Sequence, residues 1–178
     1  MTPHILPSYL LLLILILSAC GGNDDVNARV VYLSLDDRTI SVGESSVVSL
    51  GLEYNGSKNG PFDSADDISL VVRLPAGTKF REGTAEIQRS FEDKGITPNI
   101  TNCIVSGEEY LNFRLDGDDL ISGTNPSGSS EAEVTLTLDA IRPFDVGVIQ
   151  AKADRDELVF ACGAYFSSDA EDSIQVVP

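Results

Sequence analysis

The amino-acid sequence predicts an all-β domain of two packed sheets, and three observations lead to that prediction. Apolar and polar residues alternate along much of the chain after residue 29. Turn-forming Gly, Pro, Asn and Asp residues separate the alternating stretches. A helical spacing of apolar residues occurs in one segment alone, 84–94. Short strands with one buried face, joined by tight turns, pack as a two-sheet sandwich.

The chain opens with an apolar segment that is too short to span a bilayer. Residues 5–19 are apolar apart from four positions, whereas a membrane helix needs about 20 such residues. A short apolar run of this kind is typical of a secretory signal peptide, although no Lys or Arg precedes it. We therefore predict that residues 1–19 are a signal peptide, with a membrane span or a buried core helix as the alternatives.

The segment Leu17-Ser18-Ala19-Cys20 follows, with Gly21 directly after the cysteine. It resembles the lipobox of bacterial lipoproteins, in which the signal peptide is cleaved before a cysteine that is then acylated. The resemblance implies that Cys20 is lipidated and that the lipid anchors the protein to a membrane. Many such proteins stay in the inner membrane when Asp follows the cysteine, so Gly21 implies the outer membrane. Residues 20–28 are predicted to be the lipidated cysteine and a flexible tether.

Charge limits the possible partners of the exported chain. The formal net charge is −16, and residues 1–19 contain no Lys, Arg, Asp or Glu. The mature chain therefore carries all of this charge and repels the phosphates of nucleic acids and of anionic lipid headgroups. We exclude nucleic acid as a partner and expect membrane attachment through the lipid alone.

Period-two alternation predicts the strands of a domain over residues 29–178. In 47–54, for example, Val48, Leu50 and Leu52 share one face and polar residues or glycine occupy the other, as in a strand with one buried face. Turns are predicted at Asn55-Gly56, Pro75-Ala76-Gly77 and Asp116-Gly117. The predicted strands lie near 29–35, 47–54, 68–74, 79–88, 101–105, 110–115, 133–138, 146–153, 157–166 and 173–177. The helical spacing, over Thr84–Lys94, places Ile87 and Phe91 four residues apart.

Two cysteines remain after the lipidation candidate. Cys103 and Cys162 form an even pair in an exported chain, which predicts a disulfide. A catalytic or metal-binding pair is the alternative, but neither cysteine belongs to a C-x-x-C motif. Cys103 lies in a short apolar strand with Ile104 and Val105, and Cys162 is predicted to face inward from strand 157–166.

Three stretches carry a second resemblance: "LPAGTKFREGTAEI" (74–87), "GEEYLNFRLDGDDLISG" (107–123) and "SEAEVTLTLDAI" (130–141). They are similar to the Ig-like sandwich domains of bacterial surface proteins. The resemblance implies a single Ig-like antiparallel β-sandwich over 29–178. Such domains are spacers, stalks or adhesive modules, and the resemblance transfers no catalytic residue. A stalk role is in doubt because this copy stands alone.

The motifs of common enzymes are missing from the sequence. The single histidine, His4, lies in the predicted signal peptide. The mature chain therefore has no Ser-His-Asp triad and no histidine metal ligand. It also lacks the glycine-rich phosphate-binding motifs. Pairs of carboxylates could serve a glycosidase, but the chain has 28 acidic residues, so such pairs arise by chance.

An acidic loop is the candidate metal site. Asp116, Asp118 and Asp119 lie in "LDGDDLISGTN", where Asn125 or loop carbonyls could complete an oxygen shell. Calcium takes carboxylate and carbonyl oxygens from such loops. The loop lacks the full spacing of an EF-hand, and a solvated acidic turn is the alternative. Calcium at these three residues is thus an expectation from composition.

These observations predict a lipid-anchored cell-envelope protein with a non-catalytic β-sandwich that binds or scaffolds an envelope protein or a glycan. A first alternative is a calcium-stabilised adhesive or carbohydrate-binding module. The sequence has no Trp and few other aromatic residues, which weighs against a platform for stacking sugars. A second alternative is a hydrolase that uses carboxylates alone.

Overall fold

The chain folds as a sandwich of two β-sheets, seen in a computed structural model that describes residues 27–57, 68–90, 95–120, 127–155, 162–163 and 167–178. The all-β prediction is confirmed. In chain order the elements are β1 (Asn27–Leu35), β2 (Thr39–Ser41), β3 (Ser45–Ser57), β4 (Ile68–Leu74), β5 (Thr78–Phe80), β6 (Glu86–Arg89), β7 (Asn99–Val105), β8 (Glu108–Leu115), α1 (Gly117–Leu120), β9 (Ser127–Ala140), β10 (Phe144–Arg155) and β11 (Ala170–Val177).

The two sheets differ in size and in their edge strands. The five-stranded sheet has the order β1-β3-β9-β5, with β6 also paired to β9. The six-stranded sheet has the order β2-β11-β10-β4-β8-β7. Neighbouring strands are antiparallel except for β2, which runs parallel to β11. The prediction of an antiparallel sandwich is therefore right for every described strand pair but this one.

The hydrophobic core lies between the two sheets. Alternate residues of each strand point into it, so Leu50 of β3 and Leu70 of β4 are both fully buried. Burying a side chain of this size contributes about 1.5–3 kcal/mol. The largest fully buried side chains are Tyr54, Phe113, Leu50, Leu52, Ile68, Leu70, Leu74, Leu111, Leu136, Leu138, Ile149 and Ile174.

The stretch predicted as one strand over 79–88 forms two short strands. Gly83 adopts a φ of 77° between β5 and β6, a left-handed conformation that glycine tolerates best. The amide of Thr84 donates to the carbonyl of Arg81 across this turn. The helix that the spacing over Thr84–Lys94 indicates is a wrong prediction for the described residues of this segment, because Ile87 lies in β6 and pairs with Val134.

Most strands extend beyond their predicted bounds, and β1 and β3 are two examples. β1 begins at Asn27 rather than at residue 29. β3 continues through Asn55-Gly56, where a turn was predicted, because the long strand β9 pairs with it as far as Ser57. The predicted signal peptide and the predicted tether up to residue 26 lie outside the described residues, as does most of the predicted strand 157–166. Within the described residues, no helix has the length and apolarity that a bilayer crossing requires.

Candidate functional site

A β-bulge turns one aromatic side chain of β1 outward. The pairing of β1 with β3 shifts register between Val30 and Tyr32, so Val31 is an extra residue. Val30 and Leu33 are both buried in the core, whereas strict alternation would have put Tyr32 inward with Val30. Bulges re-aim side chains in this way and are frequent near functional sites. Tyr32 consequently lies on the outer face of the five-stranded sheet.

The ring of Tyr32 lies across the neighbouring strand. Tyr32 pairs with Gly51 of β3, and a Cβ built on Gly51 would overlap Cδ1 and Cε1 of the ring and lie 3.0 Å from Cζ. Glycine is therefore required for this close approach. The ring lies over the β3 backbone at Gly51, and Tyr32 is 44 % exposed to solvent.

The hydroxyl of Tyr32 spans β3 and reaches the strand beyond it. It donates a hydrogen bond to Oε1 of Glu133 on β9 at 3.3 Å. Partial burial, followed by the charge and the hydrogen bond of Glu133, raises the pKa of Tyr32 above its ordinary value. The phenol is therefore protonated at neutral pH and remains a donor to the carboxylate.

These residues belong to a shallow groove of about 240 Å³ on the outer face of the five-stranded sheet. One row across the sheet runs from Tyr32 through Gly51 and Glu133 to Gln88, and each residue pairs with the next. We call this feature the Tyr32 groove; its lining includes Tyr32, Gly51, Gln88, Ser90, Glu131 and Glu133.

The charges in and beside the Tyr32 groove are mixed. Glu131 lines the groove and pairs directly with Glu53 of β3, and like charges in opposite positions are destabilising. Arg29 offsets this repulsion through an ion pair with Glu53 at 2.6 Å. Arg89 also lines the groove. The groove therefore offers an aromatic surface with both donors and acceptors at its edge.

The sequence analysis did not single out the Tyr32 groove. The sequence does contain a sign of the bulge, because the alternation of apolar and polar residues breaks at "VVYL", residues 30–33, where four consecutive positions are apolar. Such a run fits a strand buried on both faces as well as a bulged one. The glycine inside β3 was a second signal, because a glycine within a strand marks a bulge or a close approach.

The predicted disulfide lies on the outer face of the other sheet. Cys103 of β7 and Cys162 are bonded, with their α-carbons 6.1 Å apart. The predicted inward orientation of Cys162 was wrong, because Cys162 is exposed in a turn with Gly163. A Cβ on Gly163 would lie 3.0 Å from the side chain of Val105. The bond thus holds this turn over β7, the edge strand of the six-stranded sheet.

The outer face of the six-stranded sheet is buried at its centre. Val71 of β4 points away from the core, between Asn112 of β8 and Lys152 of β10, and is nonetheless fully buried. Tyr110 lies opposite Cys103 and donates a hydrogen bond to Oε2 of Glu108 at 3.1 Å. Together with the disulfide, these contacts leave this face without a comparable aromatic platform among the described residues.

The acidic loop follows β8. Asp116 is exposed, and one helical turn, α1, comes directly after it. Asp116 lines a cavity of about 200 Å³ with Arg114 and Leu120. The side chains of Asp118 and Asp119, and all of Asn125, lie outside the described residues, within which no group of three metal-binding side chains occurs. Calcium binding by these aspartates stays a prediction.

Glu109 is the fully buried acidic residue among those the structure describes. Its Oε2 accepts from the Phe80 amide at 2.7 Å, and its Oε1 accepts from Nδ2 of Asn102 at 2.8 Å. Both oxygens therefore have partners, as buried polar atoms require. Glu109 therefore links β8 to β5 of the opposite sheet and to β7, and we assign it a structural role.

Comparison with known proteins identifies the fold and no family. No protein family matches the chain, and no curated protein matches it. Among solved structures, the major pilin SpaA of Corynebacterium diphtheriae is similar, with a TM-score of 0.57 and 15 % identity over 81 % of this chain. The N-terminal domain of the Streptococcus gordonii adhesin Sgo0707 is similar over 87 % of this chain, with a TM-score of 0.51 and 11 % identity.

The similarity to these two structures is a similarity of fold alone. The aligned part of each structure is 35 % of the pilin chain and 33 % of the adhesin chain, so this chain spans about a third of either. A pilin and an adhesin are bacterial surface proteins. The predicted resemblance to sandwich domains of bacterial surface proteins is therefore confirmed at the level of architecture. At this level of identity the activities and partners of these proteins do not transfer to the chain.

Proposed function

We propose that the chain is a lipid-anchored protein of the bacterial cell envelope whose β-sandwich binds or scaffolds a partner without catalysis. The lipid is attached at Cys20 and holds the protein in the outer membrane. Residues 21–26 alone separate Cys20 from the start of β1, and a linker of that length reaches at most about 20 Å. The sandwich would therefore lie close to the membrane surface.

The observation that carries this proposal is the Cys103–Cys162 disulfide. Disulfides persist in oxidising compartments outside the cytosol, which supports export through the predicted signal peptide of residues 1–19. The remaining cysteine, Cys20, stands at the cleavage position of the motif. An exported chain with one cysteine outside its disulfide, placed at a lipobox, is the pattern that a lipoprotein requires.

Binding rather than catalysis is supported by the chemistry of the described side chains. The buried carboxylate Glu109 is held by two amide donors. The Tyr32 groove presents an aromatic ring and polar groups on a rigid sheet, which is an arrangement suited to recognition. The fold likeness to a pilin and to an adhesin domain is compatible with this role.

The decisive test is the fate of Cys20→Ala. The wild-type chain should incorporate radiolabelled palmitate and sediment with outer-membrane vesicles. Cys20→Ala should lose the label and either remain unprocessed or leave the outer-membrane fraction, because stable anchoring needs about two acyl chains. Cys103→Ala is the matched control, and it should keep the palmitate label. A Cys20→Ala chain that is processed and outer-membrane-bound like wild type would contradict the proposal.

A further inference from the structure

We infer that the Tyr32 groove is a binding subsite for a neutral pyranose ring, so that the partner of the domain is a glycan. This inference rests on the proposed function, because it names the ligand class of the same binding domain. It also revises the expectation that scarce aromatics leave no platform for a sugar. One exposed ring that lies across the sheet is sufficient for a single subsite.

The platform is the ring of Tyr32. The ring lies over Gly51 of β3 and its hydroxyl reaches Glu133 of β9, so that the ring lies along the sheet instead of projecting from it. Tyr32 is 44 % exposed, so part of its surface remains open to a ligand. A pyranose presents a flat face of C–H groups, and such a face packs on an aromatic ring through dispersion and weak C–H contacts.

The ring is held in place before a ligand arrives. Its hydroxyl donates to Glu133 at 3.3 Å across β3, and the bulge at Val31 sets its direction. Both constraints come from strands and not from a loop. A preorganised platform loses little conformational entropy on binding, which favours even a weak ligand.

The edge of the groove matches the hydroxyl groups of a sugar. Each sugar hydroxyl both donates and accepts hydrogen bonds, so it needs acceptors and donors nearby. Glu131 and Glu133 supply carboxylate acceptors, whereas Gln88 and Ser90 supply groups of both kinds. All four side chains line the groove together with the Tyr32 ring.

The size and charge of the groove favour one neutral ring over a larger or an acidic ligand. Its volume of about 240 Å³ lies below the roughly 300–1,000 Å³ of pockets for drug-sized molecules. Glu131 and Glu133 give the groove a negative charge, on a chain whose formal net charge is −16. These carboxylates repel an acidic sugar, whereas a neutral sugar can use them as hydrogen-bond acceptors.

The test is calorimetric titration of the purified full-length protein, in detergent, with three tetrasaccharides. The probes are β-1,4-linked glucose, β-1,4-linked N-acetylglucosamine and α-linked mannose. We expect at least one to bind with a millimolar dissociation constant. Tyr32→Ala should weaken that binding by about tenfold or more, which is the loss expected for an aromatic contact. Tyr32→Phe keeps the ring and should bind within about threefold of wild type.

Two matched controls separate the groove from other causes. Tyr110→Ala makes the same change on the outer face of the six-stranded sheet and should leave binding unchanged. Glu171→Gln removes a carboxylate from the six-stranded sheet and should also leave binding unchanged, whereas Glu133→Gln should weaken binding by about threefold or more. Binding of a neutral sugar by wild type should not depend on salt. Binding of none of the three sugars, or equal binding by wild type and a folded Tyr32→Ala, would overturn the inference.

This outcome is independent of the anchoring experiment. A palmitate-labelled protein that binds no sugar would leave the proposed lipoprotein standing and remove the glycan subsite. A protein that binds a sugar through Tyr32 but needs no Cys20 for membrane attachment would do the reverse.

Discussion

The two outer faces of the sandwich differ although both are built on alternating strands. On the six-stranded sheet the outward residue Val71 is fully buried, and a disulfide holds the Cys162–Gly163 turn over the edge strand. On the five-stranded sheet the outward Tyr32 lies over Gly51 and is 44 % exposed. The first face contributes to stability, and the second is open to a ligand.

The difference shows how one fold can separate a structural surface from a binding surface. The disulfide on the first face joins two cysteines that are 59 residues apart in the chain. A one-residue bulge and a glycine open the second, since they let an aromatic ring lie along the backbone. Substitutions on the two faces should therefore have different consequences, and four predictions exploit this contrast.

The largest effect should follow loss of the disulfide. Replacing both Cys103 and Cys162 by Ala removes a bond that closes a loop of 59 residues. In the chain-entropy account such a bond contributes roughly 4 kcal/mol to the free energy of unfolding, strain aside. Denaturant titration of the double variant should show most of this loss, while sugar binding at the Tyr32 groove should survive wherever the variant is folded. An unchanged unfolding midpoint would mean that the covered face has no structural role.

A pair of valine truncations compares the two faces directly. Val71→Ala should lower the free energy of unfolding by about 2 kcal/mol, because it removes buried methyl groups and leaves a cavity. Val31→Ala, at the exposed bulge, should cost less than about 0.5 kcal/mol. Urea denaturation of both variants measures the two values. Equal losses of unfolding free energy in the two variants would contradict the distinction between a buried and an open outer face.

The contact between Tyr32 and Gly51 can be tested by a double-mutant cycle. Gly51→Ala should destabilise the wild type by about 1 kcal/mol, because the new methyl group overlaps the ring. In a Tyr32→Ala background the same change should be neutral or stabilising by about 0.5 kcal/mol, since alanine suits a strand better than glycine. This reversal of sign is the expected coupling between residues in contact. Additive effects would show that the ring does not rest on Gly51.

The smallest effect should come from an ion pair on the open face. Partial burial alone would raise the pKa of Asp139, but hydrogen bonds from Arg81 and Ser45, with the charges of Arg81 and Lys79, hold it below its ordinary value. Its contribution to stability is therefore present at neutral pH and disappears as the pH falls through the lowered pKa. Asp139→Asn should cost less than about 1 kcal/mol near neutral pH.

The pH dependence provides the control for Asp139. The difference in unfolding free energy between wild type and Asp139→Asn should shrink as the pH falls below the ordinary pKa of an aspartate, about 3.9, and through the lowered pKa of the folded state. Thermal melts at several pH values measure this difference. A gap that widens toward acid pH would contradict the direction of the shift.

Much of the fold could be predicted from the sequence, because alternation reports burial on one face. The strands around Leu50, Leu70 and Leu111 follow that pattern closely. The prediction failed where backbone geometry and not burial decides the structure. Gly83 divides one predicted strand into two, and the three residues of β2 are too few to show a period.

The candidate site was less predictable than the fold. The disulfide follows from counting cysteines, but the exposure of Cys162 depends on where its turn lies in space. The Tyr32 groove needs a bulge in β1, a glycine in β3 and a carboxylate in β9 to meet across three strands. No local pattern contains that register, because it is set by the pairing of distant segments.

The central claim is that ligand binding belongs to the open face of the five-stranded sheet. Amide chemical shifts of the full-length protein, followed while the tetrasaccharide of highest affinity is added, test it most directly. The account predicts saturable shifts at Gly51, Gln88 and Glu133, with no change at Val71 or Cys103. Shifts confined to the six-stranded sheet, or the absence of any shift at the Tyr32 groove, would contradict it.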